Sequence, residues 1–195
     1  LILGFKIPAN FNKPYFATSP TEFWNKWHIS LSLWIRDYLY LPLIFKNRNS
    51  SLRIFLGLMI AFMLIGFWHG DGWNFLIFGI LQGIFVGIHT ILRRKIPFLY
   101  NHKFFKTKFG KIFSILTTQY LIFFSFLAFR IPDMSHLFYS MQKYIILDFQ
   151  IIETISVIQS HKISIFLMIL FIVIHFISYK KNNLVEKFAN MNYYR

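Results

Sequence analysis

Polar positions cut the chain into apolar blocks of nearly constant length. Four predominantly apolar stretches, 52–68, 73–92, 112–129 and 163–179, run for 17 to 20 residues, close to the ~20 residues that cross a ~30 Å hydrocarbon layer as a helix. Blocks of this length, without the alternation of a half-buried strand, predict an all-α, polytopic transmembrane helix bundle. A different pattern fills residues 20–41. Here Trp24, Trp27, His28, Leu31, Trp34, Ile35 and Tyr38 recur at helical spacing, but Glu22, Lys26, Arg36 and Asp37 interrupt them, which predicts one interfacial or re-entrant helix and not a simple span. Its start is marked locally. Ser19 stands as N-cap, Pro20 follows at the first helical position, and Glu22 comes three residues after the cap. Pro42 is expected to end or kink the run. A second amphipathic stretch (Met134, Leu137, Phe138, Met141, Tyr144, Ile145) follows Pro132 and Asp133 and is suited to the membrane interface. The chain shows no internal repeat.

Charge orients the blocks. The 195 residues carry 21 Lys and Arg against 7 Asp and Glu, a formal +14, while 56% are hydrophobic. In a soluble chain such a balance points to nucleic acid, but these cations gather between apolar blocks, so no nucleic-acid partner is expected and membrane lipid is. Lys46 and Arg48 precede the first block with Arg53 at its start, seven cations from Arg93 to Lys111 separate the second from the third, and Lys180, Lys181, Lys187 and Arg195 follow the fourth. No cation lies between Trp68 and Gly72. The positive-inside bias therefore places the basic regions in the cytoplasm and the Trp68–Gly72 turn outside, as expected of a multi-pass protein of the inner membrane. The chain contains no Cys, which excludes a disulfide framework, a thiolate nucleophile and Cys-ligated zinc.

The chemistry must then come from other groups. His69 lies sixteen residues after Arg53, a rise of about 24 Å against a core of ~30 Å, and Gly66, Gly70 and Gly72 surround it. Two readings fit. Either His69 sits in a recess reaching into the membrane, or it marks the interface at the end of a short span, with Asp71 as N-cap of the next helix. His28, with Ser32 four residues on, is either a hydrogen-bonded core residue or a functional one. Gln82 and His89 share a face at i, i+7, as a polar track or as a structural residue beside a snorkelling one. Asp37 beside Arg36 is a functional carboxylate or an ion pair. No phosphate-binding glycine loop or nucleophile elbow occurs, and no ligand spacing predicts a bound metal.

Three segments go further. Asn10-Phe11-Asn12-Lys13-Pro14-Tyr15, the run from Glu22 to Leu43 (EFWNKWHISLSLWIRDYLYLPL) and Gly66-Phe67-Trp68-His69-Gly70 closely resemble the membrane-bound O-acyltransferase family (MBOAT), in the bacterial branch that O-acetylates alginate and related cell-envelope polysaccharides. The resemblance is strong over about the first 90 residues and loose near Phe129-Arg130. It implies that His69 is the catalytic residue and His28 a second functionally important one, with Trp27, Ser32, Trp68 and Asp37 as candidate substrate contacts. It also implies that the chain is the C-terminal part of one membrane domain, lacking upstream helices, and that the isolated piece would be inactive. Two departures stand out: relatives usually continue with paired glycines where this chain has Ile44-Phe45-Lys46-Asn47, and a His common on the next span is replaced by Gln82.

The expected reaction is acyl transfer, acetyl first, from a cytoplasmic thioester to hydroxyls of an extracytoplasmic polysaccharide. No cofactor is expected to be held; acetyl-CoA or another acyl thioester would be the donor substrate. Partners would be the donor, the glycan acceptor and a secreted or membrane-anchored acetyltransferase. The rival is a non-enzymatic subunit or acyl conduit serving such a partner. A transporter with Gln82 and His89 at its midplane is a third reading, but no inverted repeat supports it. The topology is directly testable: single cysteines at Thr107 and Ser156 are expected to react with impermeant thiol reagents from opposite faces of the membrane, and labelling from one face overturns the assignment.

Overall fold

The computed structural model describes residues 8–147 and 158–180, in two compact units, one up to Ile146 and one from Leu147. Ser156, Lys181, Lys187 and Arg195 fall outside the described residues. Every regular element among the described residues is helical.

In the first unit three helices have the length and apolarity to cross a membrane: α4 (Ser51–His69), α5 (Trp73–Lys95) and α8 (Lys108–Arg130). Ahead of them come α1 (Pro20–Lys26), α2 (Ile29–Ile35) and the short α3 (Leu41–Ile44). Short α6 (Pro97–Tyr100) and α7 (Lys103–Lys106) connect α5 to α8, and α9 (Met134–Ile146) follows it. In the second unit α10 (Lys162–Lys180) is a helix with an apolar stretch, Lys162–Ile177, shorter than those three spans.

Helix α5 is the centre of the first unit, touching α4, α8, α1 and α9. It runs antiparallel to α4 at very short range because small residues face the joint. A Cβ on Gly79 would meet the Phe62 carbonyl, and one on Gly66 would meet that of Phe75. Gly83 and Gly87 continue the stripe toward Met59 and Phe55, giving a Gly-xxx-Gly-xxx-Gly face of the kind that lets helices pack by backbone contact in lipid. The outward rows Leu52, Leu56, Ile60 and Leu64 of α4, and Ile112, Phe113 and Leu116 of α8, are exposed, as lipid-facing positions should be.

The amphipathic stretch after Pro132 is helix α9. Leu137 and Met141 bury against the core, and Tyr144 and Tyr120 each donate a phenol O–H to the other's carbonyl, at 3.1 and 3.3 Å. Those residues lie equally far from the turn, so α9 folds back antiparallel along α8.

The single helix expected over residues 20–41 is instead broken. Helix α1 starts as expected: the Ser19 Oγ accepts from the Glu22 amide at 3.2 Å, and the Glu22 carboxylate accepts from the Thr18 amide (2.8 Å), the Thr18 hydroxyl (2.6 Å) and Lys26 Nζ (2.6 Å). Burial alone raises the Glu22 pKa, but these donors outweigh it and hold the group below its ordinary value. The helix then stops at Trp27, which is extended, and His28 takes a left-handed conformation (φ 44°, ψ 55°) before α2 begins. Pro42 does not end the run either. A π-helical turn, Arg36–Tyr40, precedes it, and the wider turn accommodates a ring that would crowd the carbonyl four residues back. Asp71 is not the N-cap of α5; Gly72 occupies that place without a side-chain bond.

The glycine stripe gives the first structural test. Gly79→Leu is expected to force α4 and α5 apart and to destabilise the protein by about 1–3 kcal/mol, seen as a lower melting temperature in detergent; an unchanged Tm would show that the helices are not in backbone contact there.

Candidate active site

The break at Trp27-His28 is built by a segment eighteen residues upstream. The first amides of a helix lack intrahelical acceptors, and in α2 they are met by Asn10: its carbonyl accepts from the Ile29 amide at 2.9 Å and its side-chain Oδ1 from the Ser30 amide at 3.0 Å. The Asn12 amide in turn donates to the Lys26 carbonyl at 2.9 Å, on the last turn of α1. Residues 10–12 thus bridge the end of one helix and the start of the next, and His28 is held between them in a conformation that non-glycine residues adopt mainly where the surroundings impose it. Phe11 packs edge-on to Trp27 at 4.9 Å, and Trp27 stacks on Phe23 at 5.5 Å.

His69 arrives from the other side. It is the last residue of α4, half-buried, with its ring edge-to-face against Trp68 (4.8 Å), Phe129 (4.9 Å) and Phe78 (6.3 Å). Both imidazoles line one cavity of about 360 Å³, together with Trp24, Trp27, Leu31, Phe78, Phe126, Phe129 and Arg130. The Nδ1 atom of His28 is buried without a hydrogen-bond partner among the described residues. In native proteins such atoms are nearly always satisfied, so an unmet one singles His28 out as a candidate for a functional contact.

The other predicted residues divide. Trp27 lines the cavity. Trp68 touches His69 but is two-thirds exposed (66%) and does not line the cavity. Ser32 donates its hydroxyl to the Trp27 carbonyl at 3.2 Å and lines a second cavity of about 580 Å³ between α1, α2, α4 and α5. Asp37 lines neither; it is paired with its neighbour Arg36 at 2.7 and 3.2 Å on an exposed turn, and the guanidinium holds its carboxyl below the ordinary range.

Gln82 and His89 do share a face of α5, and that face docks α1. Gln82 is fully buried: its Oε1 accepts from the Trp24 indole N–H at 2.9 Å and its Nε2 donates to Ser125 Oγ at 2.6 Å, which donates onward to the Ile122 carbonyl at 2.7 Å. His89 Nδ1 is 2.8 Å from the Thr21 hydroxyl, and its ring meets Tyr100 edge-on at 5.3 Å. Asn10 and the Gln82–Ser125 pair are what sequence reasoning missed. The motif that holds Asn10 was visible, but its partner is fixed only by the fold.

Replacing Asn10 with Ala removes the side-chain acceptor at the start of α2, a loss of about 1 kcal/mol. Faster hydrogen exchange at Ser30 is expected, with Asn10→Asp, which keeps an acceptor, restoring protection. Equal exchange in all three proteins would mean that Asn10 does not hold the break.

Comparison with known proteins places this geometry. Over 93 residues, 48% of this chain and 18% of the relative, the sequence is 45% identical to the probable alginate O-acetylase AlgI of Azotobacter vinelandii. It is 45% identical over 89 residues to the peptidoglycan O-acetyltransferase of Helicobacter pylori, covering 46% of this chain and 17% of that one. A longer match, 146 residues at 32% identity, covers 69% of this chain and 35% of the teichoic acid D-alanyltransferase of Bacillus subtilis. The chain therefore spans well under half the length of these relatives. The model of the MBOAT, membrane-bound O-acyltransferase family, matches residues 1–135, a stretch that includes α1 to α8 and every residue around the two histidines: this multi-pass membrane chain belongs to the membrane-bound O-acyltransferase family.

Proposed function

We propose that the protein of which this chain is part transfers an acyl group, acetyl in the first instance, from a cytoplasmic thioester such as acetyl-CoA to hydroxyls of a cell-envelope polysaccharide outside the inner membrane. The observation that carries the reading is the meeting of His28 and His69 on one cavity. The names of the three relatives give alginate and peptidoglycan with an acetyl group and teichoic acid with D-alanyl, so each name joins an acyl group to a polymer.

The position of the cavity suits the task. Helices α4, α5 and α8 have Ser51, Lys95 and Lys108 at one end and His69, Trp73 and Arg130 at the other. The first end carries the basic segments and is the cytoplasmic one by the positive-inside bias. His69 and Arg130 line the cavity at the opposite end, where the exposed Trp68 and Trp73 suit the headgroup region. The glycan hydroxyl enters from that side.

His69 has no hydrogen bond to the protein among the described residues, so a ring nitrogen is available to accept the hydroxyl proton. As the proton passes to His69, the hydroxyl oxygen attacks the thioester carbonyl. A C–O bond forms, the C–S bond breaks, and the thiolate departs with the electron pair, regaining a proton from the imidazolium. General-base help of this kind supplies typically 10²–10⁴-fold. To the His28 imidazole, as an N–H donor, we assign the stabilisation of the negative charge developing on the carbonyl oxygen. Without Cys, this chain forms no acyl-thioester intermediate of its own, and transfer is direct or proceeds through a secreted or membrane-anchored partner.

In the full-length protein His69→Ala is expected to lower acyl transfer by at least about 10²-fold with expression and assembly unchanged, and His28→Ala by a smaller factor, about 10-fold or more. Both are read as acetyl incorporated into polysaccharide. Transfer by His69→Ala at the wild-type rate would overturn the catalytic assignment in favour of an acyl conduit serving a partner enzyme.

A further inference from the structure

The histidine cavity (about 360 Å³) and the larger one toward the basic end (about 580 Å³) have one lining residue in common, Trp24. The larger cavity carries Arg36, Tyr40 and Thr90 and is otherwise mostly apolar, with Ala61, Ile65 and Val86 among its walls. It lies on the cytoplasmic side of Trp24, the residue that stands in the walls of both cavities.

That indole is fixed. Its N–H is bonded to the fully buried Gln82, which is itself anchored to Ser125. Its ring lies edge-on to Phe62 at 5.0 Å and to Phe23 at 5.9 Å. A side chain held on three sides, in a medium where an indole N–H finds no water to replace a lost partner, does not swing aside at low cost. The width of any path past it is then set by protein geometry and not by what arrives.

Resting on the acyl-transfer reading above, we propose that Trp24 is the acyl-size filter of the reaction: a rigid neck between the donor cavity and the histidine cavity that passes a short acyl tip and rejects a long one. Because a thioester donor enters from the cytoplasm with its acyl group leading, the acyl group is the part that must clear the neck before its carbonyl reaches His69. A steric wall of this kind discriminates by exclusion, which is stronger than the modest preference a hydrophobic pocket exerts per methylene. The Gln82 amide acts through Trp24, as its positioning residue.

The full-length protein tests this with two readouts. First, acetyl and octanoyl thioesters compete for transfer to polysaccharide. Trp24→Ala is expected to raise the octanoyl-to-acetyl ratio about tenfold or more, and Trp24→Phe, which keeps an aromatic ring against Phe62, about threefold. Second, a single cysteine at Leu31, on the histidine cavity, is probed with an impermeant thiol reagent applied to the cytoplasmic face of sealed vesicles, other cysteines having been replaced. Labelling is expected to be slow with Trp24 and about tenfold faster with Trp24→Ala, or to a lesser degree with Trp24→Phe where the alanine protein does not fold. An unchanged acyl ratio in a folded, active variant overturns the filter, and so does an unchanged labelling rate. Loss of all transfer in the wild-type protein overturns the acyl-transfer reading instead, and the labelling still decides whether Trp24 closes the neck.

Discussion

One buried hydrogen-bond chain, Trp24 to Gln82 to Ser125, fixes the geometry on which the site depends. It joins α1, α5 and α8 through side chains that are almost wholly inaccessible. Helix α1 has seven residues, far too few to be stable alone, since nucleation is costly and isolated helices of under about a dozen residues are marginal. Its place is therefore set by what it docks on. The docking is polar and specific: Gln82 takes the Trp24 indole, and His89 takes the Thr21 hydroxyl one turn earlier on α1. In a hydrocarbon surrounding, breaking such a contact leaves unmet groups at a cost of about 1–3 kcal/mol each. That penalty makes the arrangement a unique one. The end of α1 then determines where His28 stands, and α5, through its glycine contact with α4, determines where His69 stands.

What was legible in the sequence is what depends on neighbours in sequence. The three spans follow from composition over some twenty residues, and the start of α1 from Ser19, Pro20 and Glu22 within one turn. His69 stood out because three glycines surround it. The break at Trp27-His28 was hidden, because the periodic stripe through Trp24, Trp27, Leu31 and Trp34 continues across it as though the helix did. Only Asn10, folded back onto the amides of Ile29 and Ser30, makes an interruption there cheaper than a continuous helix. Gln82 was readable either as polar lining for a channel or as a structural residue, and spacing alone did not choose. It is a structural bond between helices, the role a buried amide takes when both of its ends find partners. The glycines at 79, 83 and 87 are spaced for helix contact, and their role becomes specific only when α4 is the helix opposite.

Carboxylates are scarce and lie away from the site. Among the described residues none lines the histidine cavity; Glu22 is engaged with Thr18 and Lys26 at the start of α1, and Asp37 with Arg36 on an exposed turn. His69 therefore lacks the acidic partner that commonly orients a catalytic imidazole. Its ring is oriented by Trp68, Phe129 and Phe78, all edge-to-face. Aromatic edges hold a ring through quadrupole and dispersion contacts, each worth about 0.5–1.5 kcal/mol beyond burial, while leaving its nitrogens unengaged. A hydrogen-bonded carboxylate would fix the tautomer but occupy one nitrogen.

This division of labour explains why so aromatic a chain suits chemistry at a membrane face. Polar bonds do the positioning at a distance from the reaction, at Asn10, Gln82 and His89, where each finds its partner within the protein. Rings do the positioning next to it, where Trp27, Phe126, Phe78 and Phe129 form the walls. Apolar walls keep competing water to a minimum, and in a water-poor site the hydrogen bond proposed from His28 to a developing charge would be stronger than the same bond in solution. In the proposed reaction, a polar group added to these walls for orientation would compete with the acceptor hydroxyl for the nitrogens of His69. The aromatic cage avoids that competition, so the packing that stabilises the bundle is also what leaves its two histidines available.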